Sequence, residues 1–195
     1  MNNTIEYYED NAEVFASQTL DVKFRDVQDK FKALMKEDAY ILDFGCGSGR
    51  DAKYFLESGF RVKAIDGSKK LCEIASKNTG IFVTHMDFLD LNDEDLYDGI
   101  WACSSILHLP KDKLKEVFIK IIKAIKTGGY FYTSFKYGDF EGVRNGRYFI
   151  DFTEESFKSF LEEFKELSIT ELWVTSDARP GRESEKWLNL IMKKA

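Results

Sequence analysis

Ile41-Leu42-Asp43-Phe44-Gly45-Cys46-Gly47-Ser48-Gly49-Arg50 decides how the rest of this 195-residue sequence reads. Ala39 to Phe44 is a short apolar run, and it suits a buried strand. Glycines at 45, 47 and 49 then let the backbone turn sharply and approach a ligand closely. Residues 50–58 read as a helix that stops at Gly59. The first amides of that helix point at whatever lies against the loop. Dinucleotide-binding folds also use glycines here, but their spacing is GxGxxG, whereas this loop is GxGxG. Asp43 discriminates further. An acid at the strand end repels a pyrophosphate and suits a ligand carrying an ammonium group.

Working outward, strand and helix alternate. Strands are expected at 60–65, 81–84, 99–103 and 130–135, and helices at 68–77 and 111–126. A glycine-rich loop follows the fifth strand. Thr153 is the expected N-cap of a helix to about residue 163, with Glu154 and Glu155 in its first turn. Segments 167–175 and 187–192 read as two closing strands with only a loop between them, hence an antiparallel pair. Before the glycine motif, 4–19 and 22–36 read as two helices. This is an α/β chain whose parallel sheet is covered by helices on both faces. Ligands of such open sheets bind beyond the carboxyl ends of the strands. Asp66 ends the second strand, where an acid accepts hydrogen bonds from both hydroxyls of a ribose. Asp87 follows the third strand and suits an adenine amino group, with Met86 and Phe88 packing the ring.

With these residues in place the chain resembles the class I S-adenosylmethionine-dependent methyltransferases. The matching segments are 42–50, Ala64-Ile65-Asp66-Gly67-Ser68, Met86-Asp87-Phe88, Tyr97-Asp98-Gly99-Ile100-Trp101, Leu107-His108-Leu109-Pro110 and Gly128-Gly129. The motifs cover residues 39–135, and strand order carries the likeness further. The resemblance implies a Rossmann-like seven-stranded sheet, mostly parallel with an antiparallel last strand. It also implies S-adenosylmethionine, with S-adenosylhomocysteine as product, lying along Gly45, Cys46, Gly47, Ser48, Gly49, Asp66, Gly67 and Ser68. The backbone at Ala102 and Cys103 would meet the methionine part, and Arg50 its carboxylate. A helix within residues 1–37 would close as a lid on the core at 38–195, all one domain, with Tyr8 against the cofactor and Tyr7 and Phe15 toward the substrate cavity.

Each residue also has a plainer reading. Asp43, Asp66 and Asp87 could be turn or capping acids, Arg50 a solvated side chain, and Cys46 small-residue packing. His108 could cap a turn, and the lid aromatics could merely dock a helix. His108 and Tyr137 are the candidates for handling the acceptor's proton. For the acceptor itself, the arginines are informative. Four of the seven Arg, namely Arg144, Arg147, Arg179 and Arg182, fall in the loop after the fifth strand and in the loop joining the last two. Both loops lie at the carboxyl face, and Arg suits oxyanions. The expectation is a small acceptor with an anionic group. Pairing of these arginines with Asp139, Glu141, Asp177 and Glu183 is the plainer alternative.

Other functions are weighed against this. A tellurite-type methylase of an inorganic oxyanion shares the short length and the GxGR loop. A non-catalytic cofactor-binding regulator or partner subunit would keep the glycine loop without turnover. A nicotinamide-dependent dehydrogenase is disfavoured by the loop spacing and Asp43. Where base-amine methylation of nucleic acid uses an Asp/Asn-Pro-Pro-Tyr segment, this chain has Ala102-Cys103-Ser104-Ser105. The net charge of −6 gives nucleic acid no basic surface to grip.

Hydrophobic residues make up 44% of the chain and charged residues 32%, which suits one soluble domain with a core of its own. The 3 Cys have no CxxC spacing and, with 2 His, make no metal motif, so no metal is expected and a reducing compartment fits. The polar start MNNTIEYYEDNAE is unlike a targeting peptide, and no apolar run suits a membrane span. The expectation is a cytoplasmic protein, monomer or homodimer.

Overall fold

A computed structural model describes residues 2–195. The chain runs α1 (Asn2–Asp10), α2 (Ala12–Thr19), α3 (Arg25–Lys32), β1 (Tyr40–Phe44), α4 (Arg50–Glu57), β2 (Arg61–Asp66), α5 (Lys69–Thr79) and β3 (Val83–His85). It continues with β4 (Tyr97–Ala102), α6 (Lys111–Ala124), β5 (Ile125–Lys136), β6 (Glu141–Arg144), β7 (Arg147–Ile150), α7 (Glu154–Leu161), β8 (Leu167–Ser176) and β9 (Lys186–Lys194). Seven strands form one sheet in the order β3-β2-β1-β4-β5-β9-β8. β9 alone is antiparallel to its neighbours β5 and β8. The expected mostly parallel sheet with a reversed last strand is therefore what forms.

Strand alternation divides the core into two layers. Leu42, Phe44, Ile100, Phe131 and Leu190 face α6 and α7 in the larger apolar cluster. Their neighbours Ile41, Trp101, Tyr132 and Ile191 face α3 and α4 on the other side, where Trp101 stacks on Tyr132 at 3.9 Å between ring centroids. Beside them Ala52, Ala64, Cys72 and Ala75 let α4 and α5 lie close to β2. The β1–β2 and β1–β4 registers bring the carboxyl ends of the central strands level, so the loops after them share one rim.

Three local departures from the sequence reading have clear causes. The first helix breaks at Asn11, whose side-chain amide bonds the carbonyl of Tyr7 and turns α2 away from α1. Residues 88–96, which the plainer reading of Asp87 as a capping acid would begin as a helix, hold only a 3-10 turn at Phe88–Asp90, with Asp87 as its cap. The expected glycine-rich loop after β5 holds a hairpin, β6–β7. Its turn is Asn145-Gly146, both at positive φ, the dipeptide that two-residue hairpin turns favour. Thr153 caps α7 as expected, in a reciprocal box with Ser156. Among the described residues, no helix is long and apolar enough to cross a membrane.

Candidate active site

A cavity opens at the carboxyl ends of β1, β2, β4 and β5, roofed by α1 and α2. Its first wall is the glycine loop. The amides of Gly45 and Cys46 both donate to the Ile65 carbonyl, which ties the loop to β2. Gly45 sits at φ +88°, and a Cβ there would lie 2.4 Å from the Cβ of Ser105. At Gly47 a Cβ would meet the Phe15 ring from the roof at 3.1 Å. Gly49 has another job: its open space is taken by Ala75 and Thr79, so it sets the α4–α5 packing and does not line the cavity. Cys46 and Ser48 do line it.

Asp66 projects from the end of β2 into this wall. One carboxylate oxygen accepts the Gly47 amide at 2.8 Å and the other the Ser68 amide at 2.9 Å. Burial raises its pKa, against the pull of those amides. Met86, Asp87 and Phe88 continue the wall, together with Gly67 and Ser68. Phe88 packs on Phe44 at 4.7 Å between centroids, and Asp87 accepts the Leu89 amide. Ser68 caps α5 and donates to Glu9 of the roof at 2.6 Å.

Asp43 is placed differently from the sequence expectation. It is 2% exposed and lies outside the cavity lining, with one carboxylate oxygen unpartnered. Burial and the nearby charge of Asp51 push its pKa well up. The strand's alternation explains this: Asp43 points into the layer beneath α4 and supports the loop from behind. Ala102, buried within β4, is also outside the lining, while Cys103 is in it. Burial pushes the Cys103 thiol up to about 12, so it is a wall and not a nucleophile. Arg50 lines the cavity but is no free solvated side chain. Its guanidinium grips Asp51 with two bonds of 2.8 Å and lies over Phe24. Asp51 also accepts from Trp101 and Gln28, which pins α3 to the sheet.

The opposite wall comes from the turn after β4, from β5, and from the hairpin and the β8–β9 loop. His108 donates from Nδ1 to the Tyr148 carbonyl at 2.6 Å, because a carbonyl can only accept. Its Nε2 must then accept, and it takes the Tyr8 hydroxyl proton at 2.8 Å. Tyr8 in turn accepts from Arg147 at 3.2 Å. Burial, with help from the Arg147 charge, lowers the His108 pKa to about 4. His108 is thus neutral, with its basic lone pair occupied.

The arginines divide. Arg144 lies outside the lining and pairs with Asp151 at 2.5 Å. Arg179 and Arg182 line the cavity but are paired, to Asp177 at 2.6 Å and to Glu185 at 2.5 Å. Arg147 lines it with no carboxylate partner among the described residues. Tyr137 falls outside the cavity. It is 39% exposed and donates to Glu154 at 2.6 Å, so the expected proton-handling role has no geometry to support it. Its hydroxyl follows the β5 exit toward α7 rather than the strand ends.

Sequence reasoning missed Glu9, Ser105 and the part that Lys136 and Trp187 play around Asp177, which it read only as a partner for the loop arginines. Asp177 accepts from Arg179, Lys136 and the Trp187 indole. Burial opposes its charge, yet the hydrogen bonds from Arg179 and Trp187 hold it below the usual carboxylate range. Of these, only Ser105 had a local signal, lying where the strand after Gly99 runs out.

Comparison with known proteins fits this geometry. Residues 41–129 match the family described as a methyltransferase domain. An uncharacterized methyltransferase of Anoxybacillus flavithermus is 26% identical over 116 residues, covering 56% of this chain and 55% of that protein. The chain thus spans about half the length of that curated relative. Among solved structures, the 1,6-didemethyltoxoflavin-N1-methyltransferase of Burkholderia thailandensis superposes with a TM-score of 0.77 at 22% identity, over 98% of this chain and 85% of that one. That structure holds 1,6-didemethyltoxoflavin and S-adenosylhomocysteine. A TehB-like methyltransferase of Corynebacterium glutamicum superposes with a TM-score of 0.69 at 20% identity, over 98% of each chain. Residues 41–129 thus resemble a methyltransferase domain, and the solved methyltransferase structures share the fold of the whole chain.

Proposed function

We propose that this chain transfers a methyl group from S-adenosylmethionine to a small-molecule acceptor. The observation that supports this best is Asp66: a buried carboxylate aligned by two main-chain amides, beside a loop whose Gly45 leaves no room for a side chain. These residues fit the cofactor. Asp66 would take the ribose hydroxyls, and Met86, Asp87 and Phe88 the adenine. Gly45, Cys46, Gly47 and Ser48 would allow close main-chain approach. Cys103 and Arg50 would flank the methionine end. The cofactor, when bound, supplies an electrophilic sulfonium methyl.

The chain's own contribution is alignment and exclusion of water. Phe15 and Tyr8 cover the cavity from the roof, and Ile5 packs within 3.5 Å of where a Gly67 side chain would be. Residues 1–37 accordingly act as a lid on a core at 38–195, within one domain. His108 accepts a proton only if Tyr8 first releases its lone pair, so positioning rather than base catalysis carries the rate. Neither oxyanion detoxification nor a non-catalytic role has an observation of its own in this cavity.

Calorimetric titration with S-adenosylhomocysteine tests the reading. Wild type should bind, and Asp66→Ala should weaken binding by about 1–3 kcal/mol, the cost of losing a buried hydrogen-bonding partner. No binding by folded wild type would remove the methyltransferase reading.

A further inference from the structure

The four arginines near the cavity rim differ in one respect that their sequence positions do not show. Arg144, Arg179 and Arg182 each hold a carboxylate. Lys136, the other cation in this wall, contacts both Asp177 and Glu185. Arg147 has none among the described residues. Its guanidinium centre lies 4.5 Å from the Tyr7 ring centroid, 5.6 Å from that of Tyr8 and 5.2 Å from that of Phe149. Its Nε is buried without a hydrogen-bond partner, and its one side-chain bond is the 3.2 Å contact to the Tyr8 hydroxyl. Aromatic faces favour a cation but accept no N–H from its edge. Its Nε is thus left without an acceptor and its charge without a carboxylate, which is costly for the part held away from water.

Counting the wall as a whole, Lys136, Arg147, Arg179 and Arg182 face only Asp177 and Glu185. This wall therefore carries a surplus of positive charge. Resting on the methyltransferase reading of the cavity, we propose that the acceptor carries a small oxyanion, carboxylate or phosphate, and that Arg147 binds it. Arg suits this because its planar fork matches both groups. Tyr7 and Tyr8 belong to α1, so two of the three rings around Arg147 come with the lid. The subsite is complete only with the lid down. The paired Arg179 and Arg182 shape the rim and do not take the anion.

Titration of the S-adenosylhomocysteine-saturated protein with benzoate and with inorganic phosphate tests this, the two probes separating carboxylate from phosphate chemistry. Wild type should bind at least one of them saturably, and Arg147→Gln should weaken that binding at least tenfold. Arg147→Lys should retain part of it, which guards against a mere folding defect. Arg144→Gln, outside the cavity, should bind as wild type does. S-adenosylhomocysteine affinity, measured on every variant, separates the two readings. If the cofactor product binds and neither anion does, or if Arg147→Gln and wild type bind anion equally, the Arg147 subsite is wrong and the methyltransferase reading stands. If folded wild type binds no S-adenosylhomocysteine, both readings fall.

Discussion

The two walls of the cavity hold their polar groups by different means. On the β1–β3 side, Asp66 and Asp87 are set by main-chain amides at the ends of strands. On the β5–β8–β9 side, Asp177 and Glu185 are set by long cationic side chains. A main-chain cradle fixes geometry at little entropic cost but tolerates no added atoms. A side-chain network tolerates added atoms but loses its order when one member goes.

Added atoms should therefore separate the walls most. Gly45→Ala forces a Cβ to 2.4 Å from Ser105 and 2.9 Å from Phe88, at φ +88°. Backbone strain and overpacking together should destabilise the protein by about 3 kcal/mol or more and abolish S-adenosylhomocysteine binding. Gly181→Ala, in the β8–β9 loop at φ +77° with nothing within 4 Å, should cost only about 1 kcal/mol. Denaturant melts of the two variants measure this directly. Equal losses would mean that the walls do not differ in the way described.

Removing a hub should reverse the order. Asp177→Ala leaves Arg179, Lys136 and the Trp187 indole without their shared acceptor. It should destabilise the chain by about 2–3 kcal/mol while sparing cofactor affinity. Asp66→Ala should do the opposite. It weakens S-adenosylhomocysteine binding by about 1–3 kcal/mol. It also costs the apoprotein little, because burial already disfavours that carboxylate. Thermal melts and calorimetry on the same two samples decide between the patterns.

The same contrast governs what the sequence revealed. The alternation of strands and helices, the glycine loop and Asp66 were legible because strand ends and positive-φ turns demand particular residue types at fixed intervals. The β6–β7 hairpin was legible in principle, since Asn145-Gly146 is a turn signal, but glycines on both sides masked it as loop. For Asp43 the place at a strand end was legible, while the side of the strand it faces was not. The pairing of Arg179 with Asp177, of Arg182 with Glu185, and the lack of a partner for Arg147 depend on side-chain directions in loops. No periodicity encodes those.

Acid titration gives a further contrast. The folded His108 pKa is lowered from 6.5 to about 4, and that of Asp177 is lowered too. Between pH 6.5 and 4 the unfolded chain takes up a proton at residue 108 that the folded chain does not, so this contribution to stability falls as pH falls. Asp43 and Asp66 have the opposite sign, because their folded pKa values are raised. Their contribution falls as pH rises above the usual carboxylate range. Chemical melts of the apoprotein at pH 4 to 7 should show a slope that His108→Gln reduces by about 1–3 kcal/mol over the window. An unchanged slope would place the titration elsewhere than the His108 wall.

The smallest expected effect falls where the two walls meet. Tyr8 is on the lid, yet its hydroxyl joins Arg147 to His108 on the acceptor side. Thr4 accepts the Tyr148 amide on that side, while Glu9 accepts from Ser68 on the other. The lid is thus tied to both walls, and Tyr8→Phe cuts only one of its ties while keeping the ring against Phe15 and Arg147. The loss should be about 1–2 kcal/mol, the net value of the two hydrogen bonds that the hydroxyl makes. It should be read as a roughly fivefold or greater acceleration of S-adenosylhomocysteine release in stopped flow, with global stability nearly unchanged. Glu9→Gln should give a comparable acceleration from the opposite wall, and the double variant should exceed either one. If Tyr8→Phe leaves release untouched while Glu9→Gln speeds it, the lid is hinged on the acceptor wall and latched only at the cofactor wall, and the two walls are not coupled through Tyr8.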